Sequence, residues 1–317
     1  MKEAYSKGIS RWGQVGILIG MIGGCFIIGS ILSILVWTSM TNGSMLNIEK
    51  DMLKPENRNA ILVFQAVSTL FVFFAPAVLF AFICYRKGWT YLGFDGKVNN
   101  RQLLSVILIA ICVLPLIGGL GELNKAIPLP PNLKLRFDAA EKSYTESITQ
   151  IAQVKTWAQY FTSLLIIAAL PAIFEETLFR GALQNLLTRW MKSPWPSILV
   201  TSILFSAIHM SWYGFIPRFA LGVVLGILFH YGQSIWLNIL AHFMNNAIVV
   251  TMLFVTTRQG KKVDVSAEEH FPVWVAGLAL VLVVALLTWF IRSSPKAEPI
   301  EEEIVFDMHN PFAKDVE

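Results

Sequence analysis

Long apolar stretches with few internal charges recur along this chain. They run from about Val15 to Trp37, Ala60 to Tyr85, Leu103 to Leu120, Thr156 to Met191, Pro194 to His209, Ile216 to Tyr231, Ile235 to Thr256 and Pro272 to Ile291. A helix needs about 20 apolar residues to cross a hydrocarbon core of roughly 30 Å. Within lipid each backbone N–H and C=O must be satisfied inside the protein, and helices achieve this segment by segment. Composition agrees: 55% of the 317 residues are hydrophobic and 15% are charged, against about 25% charged in a soluble domain. The expected fold is all-α, a polytopic integral membrane protein of about eight transmembrane helices.

The longest interruption, from about Gly121 to Val154, opens with Pro128, Pro130 and Pro131. Phe137, Ala140, Tyr144, Ile148 and Ile151 then recur at helical spacing among charged residues. This predicts an extra amphipathic helix before helix four, at the membrane surface or over a cavity mouth. An ordinary packed loop helix is the alternative. The organisation expected is helices one to three with the amphipathic segment (1–156), a core (157–256), a last helix (257–292) and a disordered acidic tail (293–317). Lys2, Lys7 and Arg11 fall on the same side as Arg86, Lys87, Lys97, Arg101, Arg189 and Lys192. The positive-inside rule then puts both termini in the cytoplasm, with the plasma membrane the expected location.

A net charge of +4 gives no case for nucleic acid. Cys25, Cys84 and Cys112 lie in separate apolar segments, fit no metal spacing, and read as small buried apolar residues. Gly222-xxx-Gly226 is a spacing that lets helices pack closely.

Ionisable groups inside a membrane helix are expensive, and they mark a functional site by default. Glu175, Glu176 and Arg180 sit in the fourth apolar stretch, His209 at the end of the fifth, and His242, Asn245 and Asn246 in the seventh. Residues four apart share a helix face. Glu176 and Arg180 are thus expected to form a structural ion pair. Glu175, turned about 100° away, is left to face a cavity. His242 and Asn246 aim at one spot, with Asn245 the weaker candidate, and Phe205 packs beside His209. Arg218 reads as snorkelling to the interface, with binding of a substrate carboxylate or phosphate as the alternative. Ser206 is expected to bond its own backbone, and His230, His270 and His309 receive no role.

Two chemistries fit these residues. In one, Glu175 takes a proton from a water held between itself and His209, while His242 and Asn246 donate to the oxyanion formed at an attacked amide. In the other, Glu175, His209 and His242 hold a zinc ion, although no His-Glu-x-x-His helix is present. The first needs no cofactor and is preferred. Beyond hydrolysis, a non-catalytic scaffold or immunity protein would use the same polar cavity to bind a membrane partner. A transporter fits less well, since no paired repeat halves are visible.

Glu175-Glu176-xxx-Arg180, Phe205-xxx-His209 and His242-xxx-Asn246 together resemble the three-motif signature of the CAAX protease and bacteriocin-processing (CPBP, or Abi) family, over roughly Trp157 to Met252. This family includes the type II CAAX prenyl endopeptidase. The resemblance implies an eight-helix intramembrane glutamate protease without a cofactor. Glu175 and His209 would activate water, His242 and Asn246 would stabilise the oxyanion, and Glu176 and Arg180 would supply the second glutamate and the arginine. It implies as partners the bilayer and a membrane-embedded or lipid-anchored protein substrate, with prenylated proteins cut by some members.

Overall fold

The computed structural model of this protein describes residues 6–41, 43, 47–152, 154–260 and 272–295. The expected acidic tail lies almost wholly outside them, as do Lys2, His270 and His309. The described residues form an all-α polytopic membrane protein. Seven helices are long and apolar enough to cross a membrane: α1 (Arg11–Thr41), α2 (Pro55–Cys84), α3 (Asn100–Lys125), α5 (Trp157–Met191), α7 (Phe215–Gly232), α8 (Ile235–Arg258) and α9 (Val273–Ser293). Between them lie α4 (Pro131–Ala152) and α6 (Pro194–Ala207).

The expected fifth span is the short one. α6 has 14 residues, about 21 Å of helix, and it stops at Ala207 rather than running to His209. Its last turn tightens, with the His209 N–H donating to the Ser206 carbonyl at 3.3 Å. Met210 then takes a left-handed φ of 53°. His209 therefore stands on the turn after the helix.

α5 organises the bundle because two of its faces differ. Phe174, Leu178, Ala182 and Leu186 recur every four residues and are buried in one apolar cluster with α1 and α2. Glu176, Arg180 and Gln184 recur at the same spacing and are fully or almost fully buried. Arg180 and Gln184 bond to α7, and Glu176 bonds to α8. A second apolar cluster joins α3, α6, α7, α8 and α9. Polar α5 residues thus lie between two apolar masses.

The α5 helix is not regular. Leu164–Ala169 and Thr177–Gln184 are π-helical. Pro171 cannot donate to the carbonyl four residues earlier, and a wider turn just before it absorbs that defect. α2 repeats the device, with π-helical Leu70–Phe74 preceding Pro76. The second π segment of α5 begins at the residue after Glu176 and contains Arg180.

The amphipathic segment is helical, as its periodicity predicts, and it docks through Phe137 of the predicted stripe and the acidic residues beside it. Phe137 stacks on Trp212 with ring centroids 5.2 Å apart. Tyr213 donates to Asp138 and Ser211 to Glu141, the latter at 2.9 Å. Ala140 is exposed, and the side chains of Tyr144, Ile148 and Ile151 lie outside the described set. Here the acidic side chains find hydroxyl donors on the 208–214 turn, which favours their side of α4 over Ala140. All three cysteines are free thiols; Cys25 and Cys84 are buried and Cys112 is partly buried.

Candidate active site

Three helices are held in register by close backbone contact. A Cβ on Gly222 would lie 2.9 Å from Cβ of Ser202, and one on Gly226 would lie 2.8 Å from Cγ2 of Ile198. The two glycines therefore let α7 touch α6, as their spacing predicts. They also uncover backbone carbonyls. Arg180 Nη2 donates to the Gly222 carbonyl at 3.2 Å, and Gln184 Nε2 donates to the Gly226 carbonyl at 2.9 Å. Both helices step four residues between these bonds, so α5 and α7 run parallel. One turn back along each, Glu176 stands level with Arg218.

Glu176 is the centre of a closed polar knot. Its Oε1 accepts from Arg180 Nη1 at 2.7 Å and lies 2.9 Å from Nδ1 of His242. Its Oε2 accepts from Asn238 Nδ2 at 3.4 Å, and the same amide donates to the Leu225 carbonyl at 2.5 Å. The Arg180–Glu176 ion pair is fully buried, as the four-residue spacing predicts. Such a pair is held by its hydrogen bonds; removing one partner alone costs about 3–5 kcal/mol.

Glu175 is placed differently. It is 9% exposed, and its Oε2 is buried with no hydrogen-bond partner. The Nε2 of His242 lies 3.9 Å from it, too far for a direct hydrogen bond. A buried polar atom without a partner needs a reason, and a span of this length between polar atoms suits a bridging water. His242 thus faces both glutamates, one through each ring nitrogen.

His209 joins the group through Phe205. The Phe205 ring is 5.2 Å from the His209 ring and 5.8 Å from the His242 ring, and Arg180 Cζ lies 4.6 Å from its centroid. His209 Nδ1 lies 2.7 Å from the Phe205 carbonyl. A carbonyl only accepts, so Nδ1 carries the proton and Nε2 of the neutral ring is the proton acceptor. That carbonyl is available because α6 ends here and its last carbonyls lack intrahelical partners.

Asn245 and Asn246 follow on α8. Asn245 is buried, and its Nδ2 donates to Asn246 Oδ1 at 3.2 Å. That bond uses an acceptor lone pair of Asn246, whose own amide N–H groups remain donors by chemistry. Ser206 donates to the carbonyl of Phe215; it bonds backbone, as expected, but across the turn rather than within its own helix. Arg218 does not simply extend to the interface, because its guanidinium packs over Gly214, where a Cβ would fall 2.6 Å from Cζ.

Depth agrees among the elements. A Cβ on Gly181 would meet the Leu92 carbonyl at 3.0 Å and Ile235 Cδ1 at 3.3 Å, so α5 passes the short helix Gly88–Leu92 and the start of α8 there. Glu175 is then about 9 Å inward along α5, and His242 about 10 Å inward along α8. The last turns of α5 run past this level, where Asn185 Nδ2 donates to the Tyr91 carbonyl at 2.6 Å.

Asn238 and Gln184, which close the site at its rear, are absent from the sequence-based set. Each stands four residues from a residue in that set, and that spacing was the available signal. Among the described residues no group of three His, Cys, Asp or Glu side chains is disposed to hold a metal ion. The Nδ1 of His242 is engaged by Glu176, which leaves its Nε2 toward Glu175.

Among comparisons with known proteins, a family model falls on the segment that carries the site. A curated relative, an "Uncharacterized 24.3 kDa protein" of Escherichia coli, is 26% identical over 200 residues, covering 55% of this chain and 85% of that protein. No solved structure matches this chain. The family model described as type II CAAX prenyl endopeptidase Rce1-like matches residues 157–248, which take in both glutamates, Arg180, both site histidines and Asn246. Residues 157–248 of this chain are thus similar to the type II CAAX prenyl endopeptidase Rce1-like family.

Proposed function

We propose that this protein is an intramembrane endopeptidase that hydrolyses an amide of a membrane-associated, lipid-anchored protein with water activated by Glu175. One observation carries the reading. Of two adjacent buried glutamates on one helix, Glu176 is bonded through both oxygens while Glu175 keeps an oxygen with no hydrogen-bond partner among the described residues. Structural need accounts for the first and leaves the second for chemistry. The family match over residues 157–248 supports the same reading.

In this scheme a water sits between Glu175 and Nε2 of His209. Glu175 accepts its proton as the oxygen attacks the amide carbon. The resulting oxyanion takes hydrogen bonds from Asn246 Nδ2 and, when the His242 ring carries its second proton, from His242 Nε2. Glu175 then returns the proton to the departing amine, so that one water is consumed and one amide becomes an acid and an amine. Glu176 and Arg180 hold His242 and α7 in place. No metal takes part, and hydrolysis should survive exhaustive chelation. Both termini lie in the cytoplasm, and the plasma membrane is the proposed location.

The test is comparative membrane proteomics of cells carrying the wild type or Glu175→Gln. The reading expects at least one peptide terminus present only with wild-type protein. Identical termini in both, with biological function retained by Glu175→Gln, would support a non-catalytic partner-binding role instead.

A further inference from the structure

The parallel register of α5 and α7 places Arg218 at the level of the two glutamates, one turn before the Gly222 carbonyl that receives Arg180. Its guanidinium folds back over Gly214, filling the space a side chain there would need. Gly214 belongs to the turn that carries His209, and its N–H donates to Ser211 on that turn at 3.2 Å. Arg218 therefore lies beside the turn of the proposed proton acceptor. The reaction scheme above leaves it without a task.

We propose that Arg218 is a specificity-determining residue whose guanidinium binds the C-terminal carboxylate of the chain being cut, and so sets how far from that end cleavage falls. A guanidinium offers a planar fork of donors that matches a carboxylate. A peptide whose amide lies at Glu175 carries one anion whatever its sequence, the carboxylate at its end. A fixed cation beside the site turns that anion into a ruler. Because an extended chain advances only about 3.3 Å per residue, an anchor this close admits few registers. A lipid phosphate offers similar oxyanion chemistry and is the competing occupant. The inference rests on the peptidase reading, and the experiment below separates their failures.

The full-length protein is reconstituted in phosphatidylcholine vesicles and given a library of lipid-anchored, random-sequence peptides, as free acids and as C-terminal amides. Products are read by mass spectrometry for wild type, Arg218→Gln, Arg218→Lys and Glu175→Gln. Wild type should cut the acids at least tenfold better in kcat/KM, through KM, with cuts clustered at one distance from the end. Arg218→Gln should bring the acid-to-amide ratio toward one and scatter the cuts, with Arg218→Lys intermediate. The ratio is internal to each protein, so a partial loss of folded material does not alter it. Equal cleavage of acids and amides by wild type, or a preference kept by Arg218→Gln, overturns the role of Arg218 and leaves the peptidase reading intact. Absence of an acid preference together with a rate change on adding phosphatidylglycerol, seen in wild type only, assigns Arg218 to lipid and likewise overturns it. Cleavage undiminished in Glu175→Gln, or no product from wild type, overturns the peptidase reading itself.

Discussion

Nδ1 of His242 lies 2.9 Å from Oε1 of Glu176, and this contact orients the imidazole so that Nε2 faces Glu175. The same carboxylate oxygen also receives Arg180 at 2.7 Å, so the second glutamate of the pair is tied to α8 directly and to α7 through Arg180. Its task is to hold α5, α7 and α8 together at the site.

Breaking that tie from one side should destabilise the fold. Arg180→Met leaves a buried carboxylate with less compensation and is expected to cost about 3–5 kcal/mol. Urea unfolding in detergent micelles checks it. The paired change Arg180→Met with Glu176→Leu should recover part of the loss, because no buried charge is left alone.

Asn238 gives a second test. Asn238→Leu removes the donor to the Leu225 carbonyl and to Glu176 Oε2. Leaving these acceptors unmet should cost about 1–3 kcal/mol. Asn238→Asp should cost more than Asn238→Leu, because it sets a second carboxylate against Glu176. The order of the two thermal midpoints decides the point.

The glycine contacts predict opposite signs at different positions. Gly222→Ala forces a methyl to within 2.9 Å of Ser202 Cβ and within 3.1 Å of its Cα. It should destabilise by about 1–3 kcal/mol. Gly277, in α9, has nothing within 4 Å of a built Cβ. Gly277→Ala should be neutral or stabilising by about 0.5–1 kcal/mol, since alanine loses less backbone freedom in a helix.

These tests touch what was legible in the chain and what was not. Four-residue spacing within apolar stretches predicted the Glu176–Arg180 pair, and the structure contains it. The same spacing joins Asn238 to His242 and Arg180 to Gln184. Neither pairing was singled out from the sequence, where His242-xxx-Asn246 and Glu176-xxx-Arg180 already gave each residue a partner at the same spacing. α6 stops two residues before His209: Ala207, Ile208 and Met210 are all apolar, so hydropathy continues after the helix has stopped. The π turns of α5 had one sequence cue, Pro171, which accounts for the first and not for the second. Apolar periodicity found α4 and its docking residue Phe137 but not the two acidic side chains beside it, which bond to hydroxyls distant in sequence.

That docking gives a pH prediction. Lys134 first, and then the Tyr213 hydroxyl, hold the Asp138 carboxyl below its usual range. A carboxylate lowered in the folded state contributes stability above its unfolded pKa, near 4, and loses it as pH falls through the folded value. The α4 contact with the 208–214 turn should be intact at neutral pH and weaken below about pH 4. Distance measurement between spin labels on α4 and α7 would report this. Asp138→Asn should weaken the contact at pH 7 and flatten the pH response.

The most direct measurement compares purified wild type, Glu175→Gln and Glu176→Gln in vesicles, with amide hydrolysis and thermal midpoint recorded on the same samples. Glu175→Gln is expected to keep a midpoint near that of wild type while losing hydrolysis by about 10²-fold to 10⁴-fold. Glu176→Gln should lower the midpoint. Hydrolysis undiminished in a folded Glu175→Gln protein would contradict the account.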